Sequence, residues 1–380
     1  MARVPYRLGE IGEKKVSHGK IVIVGASGLV GYEAIRHFER LPGWEVIAIS
    51  RRKPEGIGSA KHISVDLMDA ERCQNVFGEM ADVTHVSYAA VHEIAGNLVA
   101  GWQEQEQMRT NLKMIQNFFG PLEKVAKGLK HVTVLQGTKA YGLHIEPFPV
   151  PARERWPRHQ HENFYWLQED YIREMQQGKS WNWTILRPQL VFGEAVKGNL
   201  NVLPAIGVHA ALEHEAGREV GYPGGSPFIF EAVDTQLLAR SMEWAATTPA
   251  CGGEHFNICN GDVFTFENLW PTITDALNVR MGPAKPTSIG ETLPKRDAEW
   301  GALVDKYQLR APRVVKEFIG ESAELVDFAT AYGFEEPPHS VLSTVKARQY
   351  GFNDCVDTED MIRKWLARYQ EVRLLPTFEA

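Results

Sequence analysis

KIVIVGASGLVGYEAIRHFER, residues 20–40, changes its hydrophobic period halfway along. Ile21 to Val24 form a short unbroken apolar run, as expected of a strand buried on both faces of a parallel sheet. From Leu29 onward Val30, Ala34, Ile35 and Phe38 recur at helical spacing. Between strand and helix lie Gly25, Gly28 and Gly31. A sharp turn there lets backbone approach a pyrophosphate, and the start of the helix offers unpaired N–H groups to the anion. Glycines in such a turn also suit plain close packing. The order of strand, glycines, helix and second strand is what turns the motif into a dinucleotide site. Ser27, Leu29 and Val30 share the turn and count as candidate cofactor contacts.

The second strand, WEVIAIS (44–50), decides which dinucleotide is expected. A site for NAD usually carries an acidic residue about 20 positions on, bonded to the ribose 2′-hydroxyl. Here Ser50 is followed by Arg51 and Arg52 with no acid. Two guanidinium groups suit a 2′-phosphate, and a solvated basic turn is the alternative. The sequence therefore favours NADP over NAD. Asp66 is a candidate for the adenine edge with Leu67 packed on it, although Asp at a strand end also caps helices.

Further outward, HISVD (62–66), VTHVSYAA (83–90), HVTVLQG (131–137) and WTILRPQLVFG (183–193) read as strands, with helical patterns such as MRTNLKMIQNFF (108–119) between them. The alternation predicts an α/β fold, a doubly wound parallel sheet of Rossmann type. Tyr88, Ala89 and Ala90 end the fourth strand and Gln136 the fifth, on the edge where ligands bind. After about 193 the rhythm is lost. Residues 194–227 read as a loop rich in Gly, Pro and His, and 228–246 as a strand end leading into a helix. The last 130 residues read as mainly helical, anchored by Trp270, Trp300, Phe318, Trp365 and Tyr369. The expected division is an arm over 1–19, a nucleotide-binding lobe over 20–192 to which 228–250 returns, and a smaller substrate lobe from 193–227 and 251–380.

Composition is that of an ordinary globular chain: 380 residues, 44% hydrophobic, 23% charged, net charge −7. A nucleic-acid or anionic-membrane surface would want a basic excess. Cys73, Cys251, Cys259 and Cys355 are scattered without a CxxC pair, so a reducing, cytoplasmic setting is expected. No apolar run reaches the ~18 residues of a membrane span, and the N-terminal stretch lacks a signal-type apolar core.

NFYWLQED (163–170) raises the question of chemistry. In reductases on such a sheet the catalytic tyrosine usually has a lysine four positions later. Tyr165 has Glu169 there, and none of the other tyrosines has a lysine at that spacing. The strand at 131–136, however, ends in QGTKAYG. Lys139 lies just past the ligand edge and can reach the cleft of Tyr165 although 26 positions separate them. Glu169 then reads as a surface or supporting residue, with Phe164, Leu167, Tyr171 and Met175 as the buried stripe of its helix.

GASGLVG, SRR, TKAYG, NFYWLQED and RPQLVFG, in this order, resemble the progesterone 5β-reductase/iridoid synthase (PRISE) family, an atypical branch of the extended short-chain dehydrogenases/reductases. HAALEHE (209–215), FNICNGDVFTFENLW (256–270) and the ending from 350 are similar to its lid and C-terminal lobe, so the resemblance runs from about residue 20 to the end. The family's tyrosine stands in an NFYYxxED motif and its lysine in TGxKHY, and these map to Tyr165 and Lys139. Its second tyrosine is Trp166 here, the histidine after its lysine is Ala140, and its glycine turn GVTGIVG is GASGLVG.

The resemblance implies NADPH-dependent 1,4-reduction of a C=C bond conjugated to a carbonyl. Tyr165 would donate to the oxygen on which the enolate charge grows, and Lys139 would supply the nearby cation. Pro188, Val191 and Phe192, in the RPQLVFG segment, would lie beside the nicotinamide, and Tyr141 and Trp166 would line the substrate pocket. The expected partner is a small hydrophobic α,β-unsaturated carbonyl compound, with no nucleic acid, membrane or metal; a homodimer stays open. The same residues would also serve a carbonyl reductase or alcohol dehydrogenase. A non-catalytic NADP-binding regulator would need no Tyr165/Lys139 pair, and a sugar-nucleotide epimerase would normally keep the lysine four after its tyrosine. His159 and His161 have the spacing of metal ligands on a strand but sit in a charged, Pro-rich loop with no third ligand, so a solvated loop is the expectation.

Overall fold

A computed structural model describes residues 19–94, 101–196 and 200–379. Of the expected N-terminal arm, residues 1–18 lie outside them. Nine strands are present among the described residues: β1 Gly19–Val24, β2 Trp44–Ser50, β3 Lys61–Ser64, β4 His85–Tyr88, β5 His131–Leu135, β6 Asn182–Pro188, β7 Leu190–Phe192, β8 Ala232–Asp234 and β9 Glu254–Ile258. Seven form one parallel sheet in the order β3-β2-β1-β4-β5-β6-β9, and β7 pairs with β8 alone. Ile21 faces Val46 on one side and His85 on the other, so the strand order reverses at β1. This is the switch point where such sheets bind ligands, outside the carboxyl ends of the strands.

The apolar run of β1 divides between two cores because successive side chains point to opposite faces. Ile21 and Ile23 pack with Ala34, Ile35 and Phe38 of the helix Leu29–Arg40 and with Leu237 and Met242 of the helix Thr235–Thr247. Val22 and Val24 join Phe77, Phe118 and Phe119 on the other face, under the helices Ala70–Phe77 and Gln105–Val125. Every strand residue from Ile21 to Val24 is buried, which is why no polar alternation marks the sequence there.

The helix Thr235–Thr247 packs against the helix Leu29–Arg40, and the sheet itself reaches beyond residue 250. Glu254–Ile258 continues it as a seventh strand beside β6, so part of the stretch assigned to the substrate lobe belongs to the sheet. Residues 194–227 are not all loop either: Val202–Glu215 is a helix with no polar face along most of its length. Its all-round burial, in a core with Trp270, Trp300, Phe318, Trp365 and Tyr369, removes the amphipathic signal on which sequence reading depends. WTILRPQLVFG breaks into two strands at Gln189, whose neighbour Pro188 has no N–H to continue a ladder. All four cysteines are free. Among the described residues no helix is long and apolar enough to cross a membrane.

Candidate active site

A cavity of about 680 Å³ opens along the carboxyl edge of the sheet, from the glycine turn after β1 to the helical lobe. At its nucleotide end the helix Leu29–Arg40 begins with Gly28 and has no side-chain cap. Its first N–H groups are therefore free to meet an anion. Gly25 adopts φ 88° and lies so close to the β4 exit that a Cβ would stand 2.8 Å from the backbone of Ala89 and Ala90. A Cβ on Gly31 would meet the Gly25 carbonyl oxygen at 2.2 Å. Gly31 thus serves helix-to-turn packing and does not line the cavity, whereas Gly25, Ser27, Gly28, Leu29 and Val30 do.

Ser50, Arg51 and Arg52 line the cavity where β2 ends. The turn is fixed from below: Ser50 Oγ donates to the Arg52 carbonyl at 2.6 Å and Ser64 Oγ to that of Arg51 at 2.9 Å. Neither guanidinium forms an ion pair with an acid among the described residues. Asp66 and Leu67 line the adjoining wall, with one Asp66 oxygen accepting the Met68 N–H at 2.9 Å. Tyr88, Ala89, Ala90, Gln136, Pro188 and Val191 line the cavity as well. A strand-end cradle of glycines, an uncapped helix start and unpaired arginines fit a dinucleotide phosphate.

Lys139 and Tyr165 line this same cavity from two separate elements. Lys139 sits in a 3₁₀ turn, Thr138–Tyr141, directly after β5; Tyr165 opens the helix Phe164–Gln176. The Lys139 ammonium lies 5.7 Å from the centroid of the Tyr165 ring and 4.1 Å from that of Trp102. Burial pushes the Lys139 pKa down to about 8, against the opposing pull of Glu93. Burial, helped by Glu93, holds the Tyr165 phenol well above its ordinary value, with Arg187 pulling the other way. The phenol is a protonated donor at neutral pH, not the strongly acidic group that a hydrogen-bonded ammonium would make.

Gln136, Arg187 and Glu169 support the pair from behind. Gln136 Nε2 donates to Glu169 Oε2 at 2.9 Å, and Arg187 Nε donates to Gln136 Oε1 at 2.8 Å. Glu169 is not at the surface: it is 1% exposed and also meets Arg158 at 2.8 Å and His255 at 3.0 Å. Burial alone would raise its carboxyl, yet His255, Arg158 and Gln136 together hold it well below the usual carboxylate range. The buried side of its helix runs through Phe164, Tyr165, Gln168, Glu169 and Ile172, while Leu167 is exposed. The expected stripe of Phe164, Leu167, Tyr171 and Met175 is thus displaced toward the polar residues.

Besides Gly31, three expected contacts stand away from the cavity. Tyr141 donates its hydroxyl to Asn257 Oδ1 at 2.7 Å and receives Arg187 at 3.3 Å, packed between Phe148 and Trp156. Trp166 sends its indole N–H to the His161 carbonyl at 3.2 Å. Phe192 is wholly buried in the core of the helical lobe. The cavity wall is completed by residues the sequence does not single out: Trp102, Phe230, Leu325 and Phe328 make an apolar end, with Glu93 and His144 as polar exceptions. No local motif marks these, because chain folding from distant segments brings them together. Asn163 is different. Its Oδ1 accepts the Tyr165 N–H at 3.0 Å, and an Asn directly before a helical pattern is a readable N-cap signal. Among the described residues no cluster of His, Cys, Asp and Glu could hold a metal ion.

Comparison with known proteins agrees with this architecture. Residues 56–324 match the family model of a PRISE-like Rossmann-fold domain. A short chain dehydrogenase of Penicillium aethiopicum is 27% identical over 387 residues, covering 93% of this chain and 98% of its own. A 3-oxo-Delta(4,5)-steroid 5-beta-reductase of Arabidopsis thaliana is 26% identical, with 93% of this chain and 92% of that protein covered. An (S)-8-oxocitronellyl enol synthase of Antirrhinum majus is 24% identical at the same coverage, 93% and 92%. Among solved structures, a UDP-glucose 4-epimerase of Thermotoga maritima shares the fold with a TM-score of 0.66 at 18% identity, covering 93% of this chain and 99% of that one.

Proposed function

The chain belongs to the PRISE-like Rossmann-fold family, and from that premise we propose that it is an NADPH-dependent oxidoreductase performing 1,4-reduction of an α,β-unsaturated carbonyl compound. The observation that carries the reading is the single cavity shared by Lys139, Tyr165 and the glycine turn after β1. Held by the glycine turn and the β2 exit, NADPH would supply the hydride for the β-carbon, and the α-carbon would take its proton from solvent as the enolate collapses. Tyr165 donates a hydrogen bond to the carbonyl oxygen, where negative charge grows as the enolate forms, and a buried, protonated phenol is suited to that task. Lys139 adds positive charge beside the same oxygen while its ammonium is protonated. Trp102, Phe230, Leu325 and Phe328 hold the hydrocarbon part and keep water out.

The 2′-phosphate of the cofactor is assigned to Arg51 and Arg52, which carry the guanidinium fork for it and have no acidic partner among the described residues. The test is incubation with NADPH and 2-cyclohexen-1-one or an 8-oxogeranial-type dialdehyde, with the product identified by mass and NMR. A saturated carbonyl product supports the proposal. An allylic alcohol makes the protein a carbonyl reductase, in which Tyr165 protonates an alkoxide. No turnover across a broad enone panel removes the catalytic reading.

A further inference from the structure

Behind Lys139 and Tyr165 runs a chain of side-chain hydrogen bonds that ends at the surface. At its inner end Asn163 Nδ2 donates to the Lys139 carbonyl at 3.2 Å while Asn163 Oδ1 accepts the Tyr165 N–H at 3.0 Å. The same Nδ2 lies 3.0 Å from His161 Nε2. His161 Nδ1 is 2.9 Å from His159 Nδ1, and His159 Nε2 is 3.0 Å from Glu146 Oε1. Gly142, at φ 81°, makes room for the outer imidazole: a Cβ there would stand 2.8 Å from the His159 ring.

The partners assign every proton. An amide nitrogen only donates, so His161 Nε2 accepts and its proton is on Nδ1. That N–H points at His159 Nδ1, which therefore accepts, leaving the His159 proton on Nε2, aimed at the Glu146 carboxylate. A carboxylate accepts, so the outer end agrees with the inner one. The whole chain works only while His161 is neutral. Once protonated, Nε2 could no longer accept from Asn163 and would turn to the Lys139 carbonyl, competing with Asn163 for the acceptor that ties it to the lysine turn. Turning the amide over does not help, because it would then present N–H to the Tyr165 N–H and oxygen to the Lys139 carbonyl.

We propose that neutral His161 is a positioning residue: by accepting from Asn163 it locks the amide that joins the lysine turn to the tyrosine helix, and its protonation releases that lock. The inference rests on Lys139 and Tyr165 acting as proposed above. The groups facing His161 are His159 and, through it, Glu146; His144, with ring centroids 5.0 Å apart; the Trp166 ring at 6.0 Å; and the Lys139 carbonyl. On its own loop Arg158 lies over Trp166, and Glu162 bonds Gln105. Burial, then His159, pushes the His161 imidazole down, and the His159 and Lys139 carbonyls beside the ring pull it up; the net shift is below its ordinary value, so the lock holds at neutral pH and fails on the acid side.

The experiment compares H161Q, whose carboxamide oxygen accepts but does not titrate, with H161F, which cannot accept. The wild-type kcat is expected to fall as pH drops below the ordinary histidine range, with KM for NADPH little changed. H161Q should keep kcat near neutral pH and lose that acid limb, and H161F should lose about tenfold or more at every pH, as a misplaced donor does. An unchanged acid limb in H161Q, or normal turnover in H161F, overturns the proposal. A second readout is independent of turnover: the Asn163 side-chain amide NMR signals of the NADP⁺-loaded protein should titrate together with the His161 ring in wild type and stay fixed in H161Q. Coupled titration without turnover of any enone would refute the proposed activity and leave the lock standing. A pH-independent Asn163 amide refutes the lock, whether or not enones are reduced or H161F folds.

Discussion

The Lys139 ammonium rests on the Trp102 indole, 4.1 Å from its centroid, with no hydrogen bond to the Tyr165 hydroxyl. An aromatic face attracts the cation without competing for substrate oxygen, and burial brings its pKa to about 8. The charge therefore lies within reach of ordinary pH, which is not true of an exposed lysine.

The sign follows from the direction of that shift. Below about 8 Lys139 is charged and can stabilise a developing enolate; above it the charge is lost. The rate of enone reduction should therefore decline as pH rises through this region. Lys139→Arg, which stays charged, should flatten the alkaline limb, and Lys139→Met should be slow at all pH values. Steady-state kcat/KM between pH 6 and 10 checks this, and an identical alkaline limb in Lys139→Arg would assign it to another group.

Tyr165→Phe removes one proton donor and leaves the aromatic packing with Phe164 in place. Loss of such a donor commonly costs ~10²–10³ in rate. We expect kcat to fall by that order while NADPH affinity, measured by fluorescence titration, stays near wild type. Near-normal turnover would remove Tyr165 from the donor role.

How much of this was legible depended on whether a feature is local. The turn at Gly25 to Gly31 carries its strand and helix within one continuous stretch, so both period and punctuation were readable. The aromatic anchors from Trp270 to Tyr369 announced a core by size alone, and all are buried. Tyr141 and Trp166 were expected in the pocket from the family resemblance alone. Two residues along the turn from Lys139 and one along the helix from Tyr165, their side chains point instead at Asn257 and at the His161 carbonyl. Glu169 was readable only as a surface or a supporting residue, and the structure makes it supporting; the choice was not legible because its partners Arg158, Gln136 and His255 come from three other segments. The edge strand Glu254–Ile258 joins the sheet far along the chain from its neighbour β6, and no local pattern encodes that pairing.

Glu169 occupies the place, four residues after the tyrosine, where a lysine would usually stand, and its surroundings forbid one. It is the shared acceptor of Arg158, His255 and Gln136, with Arg187 at 4.0 Å. Glu169→Gln leaves these donors under-compensated, and breaking a buried network in this way costs about 3–5 kcal/mol. Because the folded carboxyl is held below its unfolded value, this stabilisation is complete above the ordinary carboxylate range and fades as pH falls through the folded pKa. Thermal denaturation should show a large drop in Tm for Glu169→Gln near pH 7 and a smaller one in acid. Glu169→Lys should fail to rescue Lys139→Met, since it adds a cation to a cluster of cations.

Arg51 and Arg52 test the choice of cofactor without touching the chemistry. Both are exposed at the β2 exit, and their backbone is held by Ser50 and Ser64, so removing the side chains leaves the turn intact. A charge-assisted hydrogen bond contributes about 1.5–3 kcal/mol, and solvent exposure argues for the lower part of that range. The double variant Arg51→Ala/Arg52→Ala should therefore bind NADPH roughly tenfold more weakly and NADH almost as before, since only NADPH carries the 2′-phosphate. The loss should shrink as salt is raised, because screening weakens the wild-type contact first. Equal weakening of both cofactors would mean that the arginines act on the pyrophosphate or the fold, and the phosphate assignment would be withdrawn.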